Sequence, residues 1–158
     1  MGTYDWLLAI HVTGAFLFLG GAVSAGALNV LARRAERPSE IALLLGLTRF
    51  PLVAINVGMT ATIVFGLWLV VHVDGYEITE GWILGSLLLW LVTGALGYLG
   101  GNREKETRLE AERLAAGDDS PSAALRSRLR DRVANLLSWG SGVAGLAILV
   151  LMIWKPGS

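Results

Sequence analysis

Between Asp5 and Arg33 the chain carries no formal charge, and its one titratable group there is His11. A helix rises ~1.5 Å per residue, so about 20 apolar residues cross a ~30 Å hydrocarbon core. The uncharged run is longer than that and predicts a membrane-spanning helix over about 4–33. Three further runs of the same kind fall at about 51–72, 82–101 and 134–154. They predict an all-α chain: one integral membrane domain over 1–158, a four-helix transmembrane bundle running up-down-up-down. A helical hairpin over 102–133 is expected between the third and fourth spans.

Charged residues make up 16% of the sequence, against ~25% in soluble domains, and the charge is gathered into the connections. Net charge is zero and cysteine is absent. Disulfides, thiol redox chemistry and thiolate metal sites are therefore excluded. The N-terminus lacks the basic region and short apolar core of a secretory signal, so it is expected to be a span.

Small residues recur at helical spacing. Gly20 with Ser24, Gly21 with Ala25, and Ala22 with Gly26 offer close-approach faces on the first span. Gly58, Thr62 and Gly66 form a stripe on the second, Gly97 with Gly101 a pair on the third, and Ser138, Ser141, Gly142 and Gly145 a face on the fourth. In lipid such faces let backbones pack closely, and a homodimer or another membrane protein could use one. Between the first two spans, Ser39 is expected to cap a new helix, with 41–50 at the interface and Pro51 at a bend or fresh start. In 102–133, helix-forming REKETRLEAERLAA is followed by a GDDSPS turn, with Asp119 or Ser120 capping and Pro121 at a first helical position. Glu104, Glu106, Glu110 and Glu112 are expected to pair with arginines at 126–132.

Orientation follows from the basic residues. Arg33, Arg34, Arg37 and Arg49 share a side with the eight in 102–133, which makes twelve of the thirteen Lys and Arg and leaves Lys155 opposite. The positive-inside rule then predicts a bacterial plasma-membrane protein with both of these segments in the cytoplasm and both termini outside. VDGYEITEG, with Asp74, Glu77 and Glu80, lies on the outer side.

Few residues could carry chemistry. Intramembrane ionisable groups are costly, which singles out His11. Its imidazole either hydrogen-bonds a neighbouring helix backbone or Thr13, ligates a haem iron, or relays protons. His72 ends the second span at similar depth, as an interfacial histidine or as the second ligand of a bis-histidine site, and Met152 falls at the same end. Towards the basic end, Asn29, Arg49, Asn56 and Asn135 sit at comparable depth. They either hydrogen-bond between helices and reach headgroups, or build an anion site around Arg49. No span holds Asp, Glu or Lys away from its ends, which removes an acidic proton relay and a cation ring. Nucleotide loops and nucleophile elbows are missing. The basic segment is matched by acids, which favours a solvated hairpin or docking surface over a nucleic-acid site.

Tyr4, Trp6 and His11 followed by Gly20–Gly21, FGLWLV at 65–70, LGYLGG at 96–101 and the terminal Lys155–Pro156 together resemble a superfamily of small bacterial membrane proteins. It includes the integral membrane proteins called domain of unknown function 2269, copper-resistance D-like proteins, and membrane protoporphyrinogen oxidases that bind haem b. The uncharacterised group is the nearest of these. The resemblance implies that His11 matches the haem-serving histidine of the oxidases. Their third-helix lysine falls here near Gly85 or Ser86, and their histidine before the GYLG motif is Leu96, so both are absent and Thr93 is the hydroxyl left between those positions. The resemblance therefore carries possible haem binding but not the oxidase activity. Taken with the missing catalytic set, the expectation is a non-catalytic scaffold or partner-binding module in the lipid bilayer. A haem-b-binding protein with His11 as ligand is the alternative, and a copper or small-solute carrier a weaker one.

Overall fold

A computed structural model describes residues 2–73, 77–120 and 122–155. Asp74, Pro121 and Pro156 lie outside the described residues. The described chain is helical throughout: α1 (Thr3–Arg34), α2 (Pro38–Leu47), α3 (Arg49–His72), α4 (Gly81–Ala115), α5 (Ala123–Leu129) and α6 (Arg132–Trp154). Four helical stretches, Thr3–Arg34, Pro38–His72, Gly81–Ala115 and Ala123–Trp154, are long and apolar enough to cross a membrane.

The helices associate as two tight pairs. In the first, α1 and α3 run antiparallel through glycines. A Cβ at Gly58 would lie 2.4 Å from the Phe18 nitrogen and 2.5 Å from the Gly14 carbonyl oxygen. One at Gly14 would meet Thr62, and one at Gly21 would lie 2.8 Å from the Pro51 carbonyl oxygen. The expected Gly58–Thr62–Gly66 stripe is thus the α3 face, while α1 answers with Gly14, Phe18 and Gly21. Gly20 and Gly26 look into open space instead. Of the glycines in the overlapping small pairs on α1, Gly21 is the one that packs, against Pro51 and Ile55.

In the second pair, α4 and α6 run antiparallel. Gly97 faces Ser141, Gly100 faces Leu137 and Ser138, and Gly85 faces Leu151. The Ser141 hydroxyl donates to the Thr93 carbonyl oxygen at 3.2 Å. Gly100 is thus the close-packed residue, whereas Gly101 and Gly142 are open.

At the arginine-bearing end the helices gather around a different core. Ala32, Ile41, Leu45, Ala111 and Leu125 are buried together, flanked by Ala35, Ala42, Leu44, Leu114 and Leu129. The sequence suggested an interfacial stretch over 41–50 and a separate hairpin over 102–133; the structure packs the two together. α2 begins at Pro38 with Arg37 as N-cap. Ser39 caps nothing with its own side chain. Its backbone N–H and hydroxyl both donate to the Asp119 carboxylate, at 2.8 and 2.7 Å. Asp119 takes a left-handed φ of 52° to reach it, and so supplies from the α4–α5 turn the acceptor that α2 needs at its N-terminus. Ser122, not Asp119 or Ser120, caps α5, and Asp131 caps α6.

The break between α2 and α3 falls at Thr48, three residues before the bend expected at Pro51. Pro51 has no N–H for the Leu47 carbonyl, and the chain resumes with the Leu52 N–H donating to Thr48 at 3.0 Å. α5 turns back alongside the end of α4. Of the expected acid–arginine pairs only Glu106–Arg128 forms, at 3.4 Å; Arg103 pairs with Asp131, and Glu112 with Arg108 in its own helix. Exposed pairs of this kind contribute ~0–1 kcal/mol each.

Candidate functional site: a cleft between two helix pairs

The tight pairs do not close on one another along their whole length. Between them lies a cleft of ≈ 750 Å³ walled by α1, α3, α4 and α6. Its inner end is stopped by two contacts that cross from pair to pair. The Phe18 ring fills the notch at Gly145, where a Cβ would lie 2.7 Å from Cε1. The Met59 methyl lies 3.5 Å from the corresponding point at Gly94. Towards the N-terminus of α1 the cleft reaches a rim bearing Tyr4, Trp82 and Lys155. Trp82 and Lys155 are in cation–π contact at 5.6 Å, and the Trp82 indole N–H donates to Glu80.

His11 lies on the wall of this cleft. Its Nδ1 lies 2.8 Å from the Thr62 carbonyl oxygen across the α1–α3 seam. A carbonyl only accepts, so Nδ1 carries the proton in this contact and Nε2 is the bare nitrogen of the neutral ring. The ring fits because position 66 is glycine; a Cβ there would lie 2.8 Å from His11 Cε1. The bonded backbone acceptor weighed from the sequence is therefore present, supplied by α3 and not by Thr13.

The other polar candidates are dispersed. His72 is exposed at the end of α3 and does not line the cleft, so the two histidines are not brought together there. Met152 and Met59 do line it, with His11. Asn29 donates to the Ala25 carbonyl oxygen at 3.1 Å and to Glu104 at 3.0 Å. Asn56 donates to Leu52 of its own helix, and the Arg49 guanidinium sits 4.7 Å over the Phe50 ring. Asn135 keeps a buried Oδ1 without a partner. Among the described residues no hydrogen bond joins any two of these four, and no group of three or more His, Cys, Asp or Glu is placed to hold a metal ion.

Sequence reasoning passed over Trp90, and met Thr62 only as a packing residue and Thr93 only as a departure from the oxidases. Trp90 Nε1, Thr62 Oγ1 and Thr93 Oγ1 are buried without a hydrogen-bond partner, and all three residues line the cleft. The available signal was a polar side chain deep inside an apolar run.

No curated protein and no solved structure matches the chain. A family model described as "Predicted integral membrane protein (DUF2269)" matches residues 5–156. That match covers all but the first two residues of the four membrane-length helices, and the protein belongs to the DUF2269 family of integral membrane proteins.

Proposed function

We propose that this protein holds a lipophilic ligand in the cleft between its helix pairs, within the plasma membrane of a bacterium. The bundle threads up-down-up-down with both termini outside and 102–133 in the cytoplasm, as the placement of twelve of the thirteen basic residues supports. The observation that carries the ligand reading is the cleft itself: ≈ 750 Å³, walled mostly by apolar side chains and stopped where Phe18 meets Gly145. Ligand sites take this form, apolar walls with a few placed polar groups. Ala15 lines it one turn outward of Phe18. Ala15→Phe is therefore expected to obstruct the inner part of the cleft. Native mass spectrometry of protein extracted with its surrounding lipid should show about one retained small molecule per wild-type chain, and its loss in Ala15→Phe. A bare wild-type chain would contradict the proposal.

A specific observation favours haem b as the occupant in a second reading. Metal-ligating histidines usually donate their other ring N–H to a carboxylate or backbone carbonyl, and His11 Nδ1 is so placed on Thr62. His11 would hold the iron through Nε2, with Met152 or Met59 on the same cleft. Bound haem would supply one-electron chemistry. An absorption spectrum after haem supplementation tests this: a Soret band lost in His11→Ala is expected on the haem reading, and no band removes it.

The partner-binding reading draws on the exposed charged side of α4 and α5 and on the open glycines Gly20, Gly26, Gly101 and Gly142. These suit a homodimer or a membrane-protein partner. The cleft is the more specific feature, because it has a depth, a volume and polar atoms without partners. For a copper-carrier reading, no group of three or more His, Cys, Asp or Glu is placed to hold a metal ion among the described residues.

A further inference from the structure

We infer that the inner end of the cleft takes the carbonyl oxygen of a lipophilic ring, a quinone-type head group that enters ring first. This rests on the ligand-holding reading above and names the class of ligand.

Four buried side-chain polar atoms among the described residues lack a hydrogen-bond partner; Thr62 Oγ1 lies in the α1–α3 seam against Gly14, while Trp90 Nε1 and Thr93 Oγ1 belong to α4 residues that line this cavity. Native structures rarely leave such groups unsatisfied. Their depth is common. Met59 touches α4 at Gly94, and α3 runs outward from that point while α4 runs inward to it. Thr62 is three residues outward of Met59; Thr93 and Trp90 are one and four residues outward of Gly94. By helix rise, Thr62 stands between the levels of Thr93 and Trp90, one turn above the stop. Thr93 is only 2% exposed.

The donor set fixes the chemistry. An indole N–H can only donate, and the Thr93 hydroxyl lacks the acceptor it would ordinarily find in its own helix. A ligand must therefore bring an acceptor oxygen, and the walls around it demand an apolar body. Depth selects among carbonyl-bearing lipids. From Gly81 at the outer end of α4 to Thr93 is twelve residues, about 18 Å along the helix. A phospholipid ester could reach that level only by drawing its charged headgroup into hydrocarbon. A quinone ring carries no charge and is bound by no such limit. The bare Nε2 of His11, on the same wall, offers an acceptor to the hydroxyl of a reduced ring.

The test uses purified, delipidated full-length protein in detergent, without added haem. It is titrated with a decyl-tailed benzoquinone, and separately with dodecylbenzene, which has tail and ring but no acceptor. Bound ligand is read from ultraviolet absorbance after equilibrium gel filtration. Wild type is expected to prefer the quinone by about tenfold or more, the effect of one or two hydrogen bonds otherwise left unmade. Thr93→Val is isosteric and Trp90→Phe removes the indole N–H while keeping an aromatic ring; together they should abolish that preference while dodecylbenzene still binds. Equal binding of the two compounds to wild type overturns the quinone assignment and leaves the cleft reading standing. Binding of neither overturns both. A preference unchanged by the double substitution, bound phospholipid as the sole occupant, or a His11-dependent Soret band in protein as isolated would each place another group in the site.

Discussion

Replacing Gly58 by alanine is expected to destabilise the protein by about 3 kcal/mol or more, at or beyond the upper end of ordinary overpacking costs. The added methyl would lie 2.4 Å from the Phe18 nitrogen and 2.5 Å from the Gly14 carbonyl oxygen. Both are backbone atoms of a membrane-length helix, so neither can move aside as a side-chain tip would. α1 and α3 would have to separate, and in lipid little draws them back, because the hydrocarbon around them is as apolar as their own side chains. The Gly14, Gly21 and Gly66 contacts lie on the same seam and would loosen with it. Gly20→Ala is the matched control. No atom lies within 4 Å of its Cβ position, so the cost is expected to stay within about 0.5 kcal/mol. Thermal unfolding in one detergent, followed by circular dichroism and tryptophan emission, checks the pair. Equal midpoints for the two variants would contradict the packing described.

Leu125→Ala is expected to cost about 2–5 kcal/mol, the range for emptying a buried leucine site. Leu125 is 1% exposed and sits with Ile41, Leu45, Ala32 and Ala111. α5 has seven residues, too few to persist as a helix without tertiary contacts. The loss should therefore appear as local opening. Hydrogen exchange across 122–131 should rise towards the rate of free peptide, while α1 and α3 keep their protection. Leu109→Ala, at a site 50% exposed, should change little. Protection of 122–131 unchanged in Leu125→Ala would mean that this core does not hold α5.

What the sequence made legible and what it hid follow from the same physics. Four apolar runs bounded by charge announce four long helices, because lipid leaves a chain few other ways to satisfy its backbone. The four-residue period of Gly58, Thr62 and Gly66 announces the face of α3. The face of α1 was hidden by plenty: Gly20, Gly21, Ala22, Ser24, Ala25 and Gly26 allow several registers, and the chosen one depends on partners on another helix. The packing of α2 on α4 and α5 was hidden because ALLLGL at 42–47 is apolar on every side and points nowhere in particular. His11 was visible as a costly group, yet its acceptor is the carbonyl of Thr62, and a backbone carbonyl has no signature in a sequence. The cleft is a place where side chains fail to meet, and the residues beside it read as ordinary span residues.

That the pairs stand apart is what the ligand proposals depend on, and a cysteine-free chain lets it be measured by paired cysteines. Phe18 meets Gly145 at the stop of the cleft; Ala15 and Ile148 each lie three residues outward of that contact and line the cleft from α1 and α6. Within a pair, a Cβ at Gly97 would lie 3.6 Å from the Ser141 hydroxyl. Mild oxidation in native membranes should therefore join Gly97→Cys to Ser141→Cys directly. The Ala15→Cys, Ile148→Cys pair should remain unjoined until a long bis-maleimide spans the gap. Rapid, near-complete disulfide formation between positions 15 and 148 would contradict an open cleft.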